Sequence, residues 1–326
     1  MNPCQSVFIT KFHRLTLICA YKVKLDDLII GILMKTRGIA FVGSLFALAA
    51  LTAQPLSAET SMESVVRSGK LNAVVIGDEL PFASKSDAGF KGLAIDVVAA
   101  VKNELQAFAG KPIRLNALQV NSVQDAKDAL LSGKADIACG VAYSWERAML
   151  VDYTIPFALG GVRVLAPTGN DGTPSSLAGK TVGVIKDTVA AQTLATAAPQ
   201  ANYVSYDSPA AALAAMRSGS VDILGGDSLW LKANKARVAA NADIVPIVPY
   251  GRSGVGCIIP ENNSTMLNYS NIAIGKILQG YVNDVAPVQA MVNRWIGPGS
   301  AVNLKQDLIK AYYATVLSTA AQLSLR

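Results

Sequence analysis

Along residues 59–326 the apolar positions follow two alternating rhythms, short unbroken runs of strand length and longer stretches with apolar residues three and four apart. Residues 74–76 read as a strand. Residues 93–108 read as a helix whose other faces carry Asp96, Lys102 and Glu104. Residues 113–118 alternate as a half-buried strand does. Ser122 is placed to cap a helix over 123–131, and 135–139 is a second short apolar strand. The order βαβαβ predicts a parallel sheet. After Pro167 the loop sequence Gly169-Asn170-Asp171-Gly172-Thr173-Pro174 interrupts the pattern, which then restarts with a strand at 181–185. Thr188 caps a helix over 189–197, and Ser208-Pro209 opens one over 210–217 with proline at its first position. Strands at 221–224 and 255–259 and helices at 266–282 and 308–323 complete the pattern.

One unit occurs twice. Ser132-Gly133-Lys134-Ala135-Asp136-Ile137 and Ser218-Gly219-Ser220-Val221-Asp222-Ile223 each follow an Ala/Leu-rich helical run and lead into an apolar strand. The copies stand too far apart for a solenoid, whose period is about 20 to 50 residues, so they predict two similar α/β lobes. A cleft between lobes is a common place for a small ligand. The chain is expected to cross between them near 163–167 and again near 250–255.

Met34-Lys35-Thr36-Arg37, the uncharged stretch 38–51 and the small residues before Glu59 have the three parts of a secretory leader, so 34–58 is read as a cleaved signal peptide. Its apolar run falls short of the roughly 20 residues that span a bilayer. Residues 1–33 are read as lying upstream of the true start. They hold the single histidine, His13, and two of the four cysteines. Six of the 29 Lys/Arg and two of the 23 Asp/Glu precede residue 59, which leaves 268 residues of net charge +2. With no basic stripe interleaved with aromatics, nucleic acid is not expected as a partner.

Without histidine after residue 58, imidazole bases and most zinc hydrolase designs are excluded. Gly179-Lys180-Thr181 precedes a strand and lacks the earlier glycine of a phosphate loop. Cys139 and Cys257 either pair or sit buried and inert. Neither metal nor cofactor is expected.

Strand ends are where α/β sheets present residues to a crevice. Arg147 follows the first repeated strand, which ends at Cys139-Gly140, and Asp227 ends the second. Together they suit a zwitterion, though Arg147 could also pair with Glu146 or Asp152, and Asp227 could also cap the helix after it. Asp78, Glu79 and Phe82 lie just beyond the first strand. Phe82 reads equally as core, and Thr188 stands at a helix N-terminus that favours an anion or simply as its cap.

The residues resemble those of the family 3 extracellular solute-binding proteins, the periplasmic amino-acid receptors of ABC importers. The resemblance rests on Leu80-Pro81-Phe82, Gly89-Phe90-Lys91-Gly92, Ser132 to Gly140, Glu146-Arg147, Val151-Asp152-Tyr153-Thr154-Ile155-Pro156-Phe157, Leu177-Ala178-Gly179-Lys180-Thr181 and Gly225-Gly226-Asp227. Cys139-Gly140, Gly256-Cys257 and Arg294-Trp295-Ile296-Gly297-Pro298 look most like its glutamate/aspartate branch.

The resemblance implies an α/β periplasmic binding protein type II fold, two lobes joined by two crossover strands. Lobe 1 would be 59–165 plus 254–326, and lobe 2 would be 166–253. It implies Arg147 on an α-carboxylate, Asp227 on an α-ammonium, and backbone contacts from Ala142 and Thr188 beside Gly140. Glu79 falls where the family has an aromatic platform, and Ile76 where the glutamate/aspartate branch has an arginine. Asp78 and Glu79 then favour a polar or cationic side chain. The implied protein is a monomeric receptor that hands its amino acid to an inner-membrane permease. The same fold resembles secreted cyclohexadienyl dehydratases and ligand sensors, which are the alternatives.

Overall fold

The computed structural model describes residues 60–77, 79–87 and 89–319. The readings of 1–33 and 34–58, the position of Asp78 and the last residues of the helix expected at 308–323 lie outside the described residues. The described residues all belong to one compact unit.

The described chain opens with α1 (Ser61–Ser68), started by a capping box between Thr60 and Glu63, and β1 (Lys70–Ile76). A hairpin, β2 (Ser84–Ser86) and β3 (Gly89–Lys91), precedes α2 (Leu93–Ala109), β4 (Arg114–Val120), α3 (Val123–Leu131) and β5 (Ile137–Ala142). Then come α4 (Trp145–Ala148), β6 (Val151–Tyr153) and the nine-residue β7 (Ala158–Ala166). The second run contains α5 (Pro174–Leu177), β8 (Thr181–Ile185), α6 (Val189–Ala197), β9 (Asn202–Tyr206), α7 (Pro209–Ser218), β10 (Ile223–Asp227), α8 (Ser228–Val238) and β11 (Asp243–Val245). Strand β12 (Arg252–Pro260) returns to the first half, which α9 (Ser264–Val282), α10 (Ala286–Trp295) and α11 (Gln306–Thr319) complete.

Strand order along the sheet is β4-β1-β5-β12-β7-β10-β8-β9. The outer members pair in parallel on both sides, β4 with β1 and β1 with β5, then β10 with β8 and β8 with β9. The two long strands β7 and β12 run antiparallel between them, with Arg252 opposite Gly161 and Val255 opposite Ala158. These two strands lie between the two parallel groups and link them in the sheet.

Burial separates the halves. In the first, Val97, Val101 and Leu105 of α2 pack with Ile274, Leu278 and Tyr281 of α9, and Tyr281 meets Tyr313 edge-on with centroids 5.3 Å apart. In the second, Val182 and Val184 of β8, Leu194 of α6 and Ile223 of β10 form a smaller core. Cys139 and Cys257 stand opposite each other on β5 and β12 and are joined by a disulfide, with Cα atoms 3.9 Å apart and a sequence separation of 118. Of the two readings left open for these cysteines, pairing is the one realised.

Candidate functional site

The carboxyl ends of β1, β5, β8 and β10 converge on one cavity of about 340 Å³ between the halves. Arg147, Asp227, Thr188, Ala142, Glu79, Phe82 and Gly140 all line it. Asp78, the eighth residue expected there, is outside the described residues.

Arg147 reaches the cavity from the short helix α4, whose first turn is capped by Ser144, its Oγ accepting from the Arg147 N–H at 3.3 Å. The guanidinium pairs with neither Glu146 nor Asp152. Nη1 donates to the Ala142 carbonyl at 3.1 Å, and Nη2 donates to the Asp187 carbonyl at 2.6 Å. Asp187 belongs to the turn after β8 and sits in left-handed backbone at φ 59. The second of these bonds therefore crosses the cavity. Away from the cavity lining, Asn234 of α8 makes another bond between the halves, donating to the Leu80 carbonyl at 3.2 Å.

Asp227 is a helix cap as well as a cavity residue. Its Oδ1 accepts from the N–H groups of Leu229 and Trp230 at 2.8 and 3.3 Å, and Oδ2 accepts from Gly161 on β7 at 3.1 Å. Glycine is required at 160, because a Cβ there would run into the Asp227 carboxylate. Burial pushes the carboxyl up to about 6, opposed by those three donors.

Glu79 closes a tight turn, with its N–H on the Ala83 carbonyl and its carbonyl receiving the Phe82 N–H. Burial in the cavity wall raises its carboxyl to about 8, against the pull of Arg147 and with a push from Asp227. At neutral pH Glu79 is therefore mostly protonated and Asp227 mostly ionised. Phe82 is core and cavity wall at once: it is 5% exposed, packs edge-on against Phe157 and lies against Gly140, which holds φ 92. Thr188 caps α6, accepting from Ala191 at 3.2 Å and donating to the Ile185 carbonyl at 2.7 Å.

Gln192, Ser253 and Trp230 also line the cavity and were not singled out from the sequence. Gln192 stands one helical turn after Thr188 and Trp230 three residues after Asp227, spacings that place them beside the strand ends. Ser253 lies on β12 and enters only through the crossover.

A guanidinium facing two carboxylates can hold a carboxylate and an ammonium at once. Among the described residues no group of three His, Cys, Asp or Glu is arranged to hold a metal ion. No described helix is long and apolar enough to cross a membrane.

A sequence model of the bacterial extracellular solute-binding proteins, family 3, matches residues 71–297. The virulence sensor protein BvgS of Bordetella bronchiseptica is 26% identical over 69% of this chain, which spans 17% of that relative's length. The ABC transporter arginine-binding protein 1 of Escherichia coli is 27% identical over 64% of this chain and 85% of its own. Among solved structures, the ancestral amino acid-binding protein AncCDT-1, described as a precursor of cyclohexadienyl dehydratase, superposes with a TM-score of 0.62 at 20% identity. It covers 73% of this chain and 100% of its own. An ancestral arginine-binding protein bound to arginine superposes with a TM-score of 0.60 at 24% identity, covering 70% and 99%. The two-lobed type II fold is shared with these neighbours.

Proposed function

The chain belongs to the bacterial extracellular solute-binding proteins of family 3, and from that premise we propose that it is the periplasmic substrate-binding component of an ABC importer. It takes one amino acid, with a polar group in its side chain, between the lobes and closes on it by hinge bending. The observation that supports this most is a guanidinium and a carboxylate, Arg147 and Asp227, presented from opposite halves to one cavity. The naming of an Escherichia coli relative as an arginine-binding protein points the same way.

In this reading the ligand's α-carboxylate takes over from the Asp187 carbonyl on Arg147. Its ammonium lies between Asp227 and Glu79, and backbone groups of Ala142 and Thr188 complete the grip. The lobes divide as 59–165 plus 254–326 and 166–253, the leader 34–58 directs export, and a monomer delivers the ligand to an inner-membrane permease. Calorimetry on residues 59–326 with the common amino acids tests it. Arg147→Ala is expected to lose at least ~100-fold in affinity, ~3 to 5 kcal/mol if its partner is left buried and unpaired. An unchanged dissociation constant rejects the role.

A second reading has its own observation. A cavity carboxyl raised to about 8 stays protonated at neutral pH, as a general acid must. Phenylpyruvate formed from prephenate by the wild type and not by Glu79→Gln would favour a dehydratase on this scaffold. A sensor role, suggested by the partial match to BvgS, would show instead as ligand binding without any association with a permease.

A further inference from the structure

The cavity does not stop at its charged end. Past Ile76 and Gly140 its lining continues beneath α3 along Ala126, Ala138, Leu150, Val151 and Ile258 and reaches Lys127. This part of the core is built from small side chains. Four of its eight buried members are alanines, Ala126, Ala129, Ala135 and Ala138, so methyl groups stand where branched residues would close the space between helix and sheet. Lys127 is half-buried on the cavity wall and has neither a hydrogen bond nor an ion pair to a described residue. At about 340 Å³ the whole cavity falls within the range of roughly 300 to 1,000 Å³ that holds drug-sized ligands, more room than the backbone groups of an amino acid occupy.

We propose that this alanine-lined extension is the side-chain subsite, and that the ligand is an α-amino acid with a long, mostly aliphatic side chain ending in a carbonyl or carboxylate that Lys127 receives. The proposal rests on the amino-acid reading above, with the ligand's backbone groups at Arg147 and Asp227. The aliphatic part enters a mainly apolar channel, where each buried methylene is worth about fourfold in affinity. The acceptor at its end gains a charge-assisted hydrogen bond that an all-apolar side chain cannot make.

Calorimetry with L-alanine, L-leucine, L-arginine, Nε-acetyl-L-lysine and L-2-aminopimelate tests the assignment. The last two are expected to bind best. Ala126→Leu should cut their affinity at least about tenfold and leave alanine unchanged. Lys127→Met should cost roughly tenfold to a hundredfold for the acceptor-ended ligands and nothing for leucine. Ala126→Leu without ligand is expected to melt at or above the wild-type temperature, because it fills open space. A lower melting temperature marks a core already full and overturns the extension, as does binding of alanine with no gain for longer chains. Binding of no amino acid overturns the parent reading and this ligand class together.

Discussion

The two helix-turn-strand copies solve the same folding problem with the same residue and then part company. In the first, α3 ends at Gly133 with φ 71, and Asp136 joins both backbone groups of Asn72, donating its N–H at 2.8 Å and accepting at 2.8 Å on Oδ2. In the second, α7 ends at Gly219 with φ 71, and Asp222 does the same to Thr181, each bond 3.0 Å long. In both, the aspartate ties an incoming strand to the start of its parallel neighbour. The surroundings differ: Asp136 is 5% exposed and burial raises its carboxyl, whereas Asp222 is exposed. The sequels differ more. Strand β5 leads to the cation Arg147, while β10 ends in the anion Asp227, so a repeated frame delivers opposite charges to the two walls of one cavity.

The largest expected effect that separates the halves comes from the disulfide, which lies between strands of the first. Cys139→Ser with Cys257→Ser should cost about 2 to 5 kcal/mol in urea-induced unfolding, because the bond closes a long loop in the unfolded chain. A variant as stable as the wild type would place the first half's advantage in its apolar core alone.

Next is the pair of aspartates. Asp136→Ala leaves the half-buried Asn72 N–H without its partner and should cost about 1 to 3 kcal/mol, while exposed Asp222→Ala should cost no more than about 1 kcal/mol. Equal losses would erase the distinction drawn between the copies. Asp227→Ala removes a helix cap and is expected to cost about 1 kcal/mol of stability, together with ligand affinity.

A last test is of pH, which acts on the two cavity carboxyls themselves. Glu79 rises from its usual 4.5 to about 8 and Asp227 from 3.8 to about 6, so the folded empty protein holds both protons more tightly than the unfolded chain does. That stabilisation is complete below about pH 4 and is lost as pH rises through 6 and then 8. The empty protein should therefore melt at a higher temperature at pH 5 than at pH 8. A ligand ammonium needs both carboxylates ionised, so its affinity should rise with pH, by up to about tenfold per unit. A dissociation constant that is flat between pH 6 and 8 would remove Glu79 from the ammonium's neighbourhood.

Where a segment announces itself locally, its pattern sufficed. Helices α3 and α6 and strand β8 match the expected residues, because Ser122 and Thr188 mark the helix starts and β8 is buried along nearly its whole length. Strand β9 was not foreseen, since at the sheet edge Asn202–Tyr206 keeps no apolar run. Helix α10 was missed for a similar reason, with Val292 its one buried residue. Strand β5 was expected to end at Cys139-Gly140, yet it runs on to Ala142, past the glycine whose missing side chain lets Phe82 approach. The residues lining the cavity divide likewise. Arg147 and Asp227 are visible as charges after strands, whereas Ser253 and the crossing from Arg147 to Asp187 depend on how the two halves meet, which no local spacing encodes.

The disulfide also makes the second lobe an appendage on a covalent ring. Cys139 and Cys257 stand about one peptide unit apart, and every residue between them, Arg147 and Asp227 included, belongs to the loop they close. A protease that cuts once inside that loop releases nothing. The nicked protein would run as a single species without reductant and fall into two fragments with it, so the half of the cavity carried on the loop stays tethered to the half that holds the larger core.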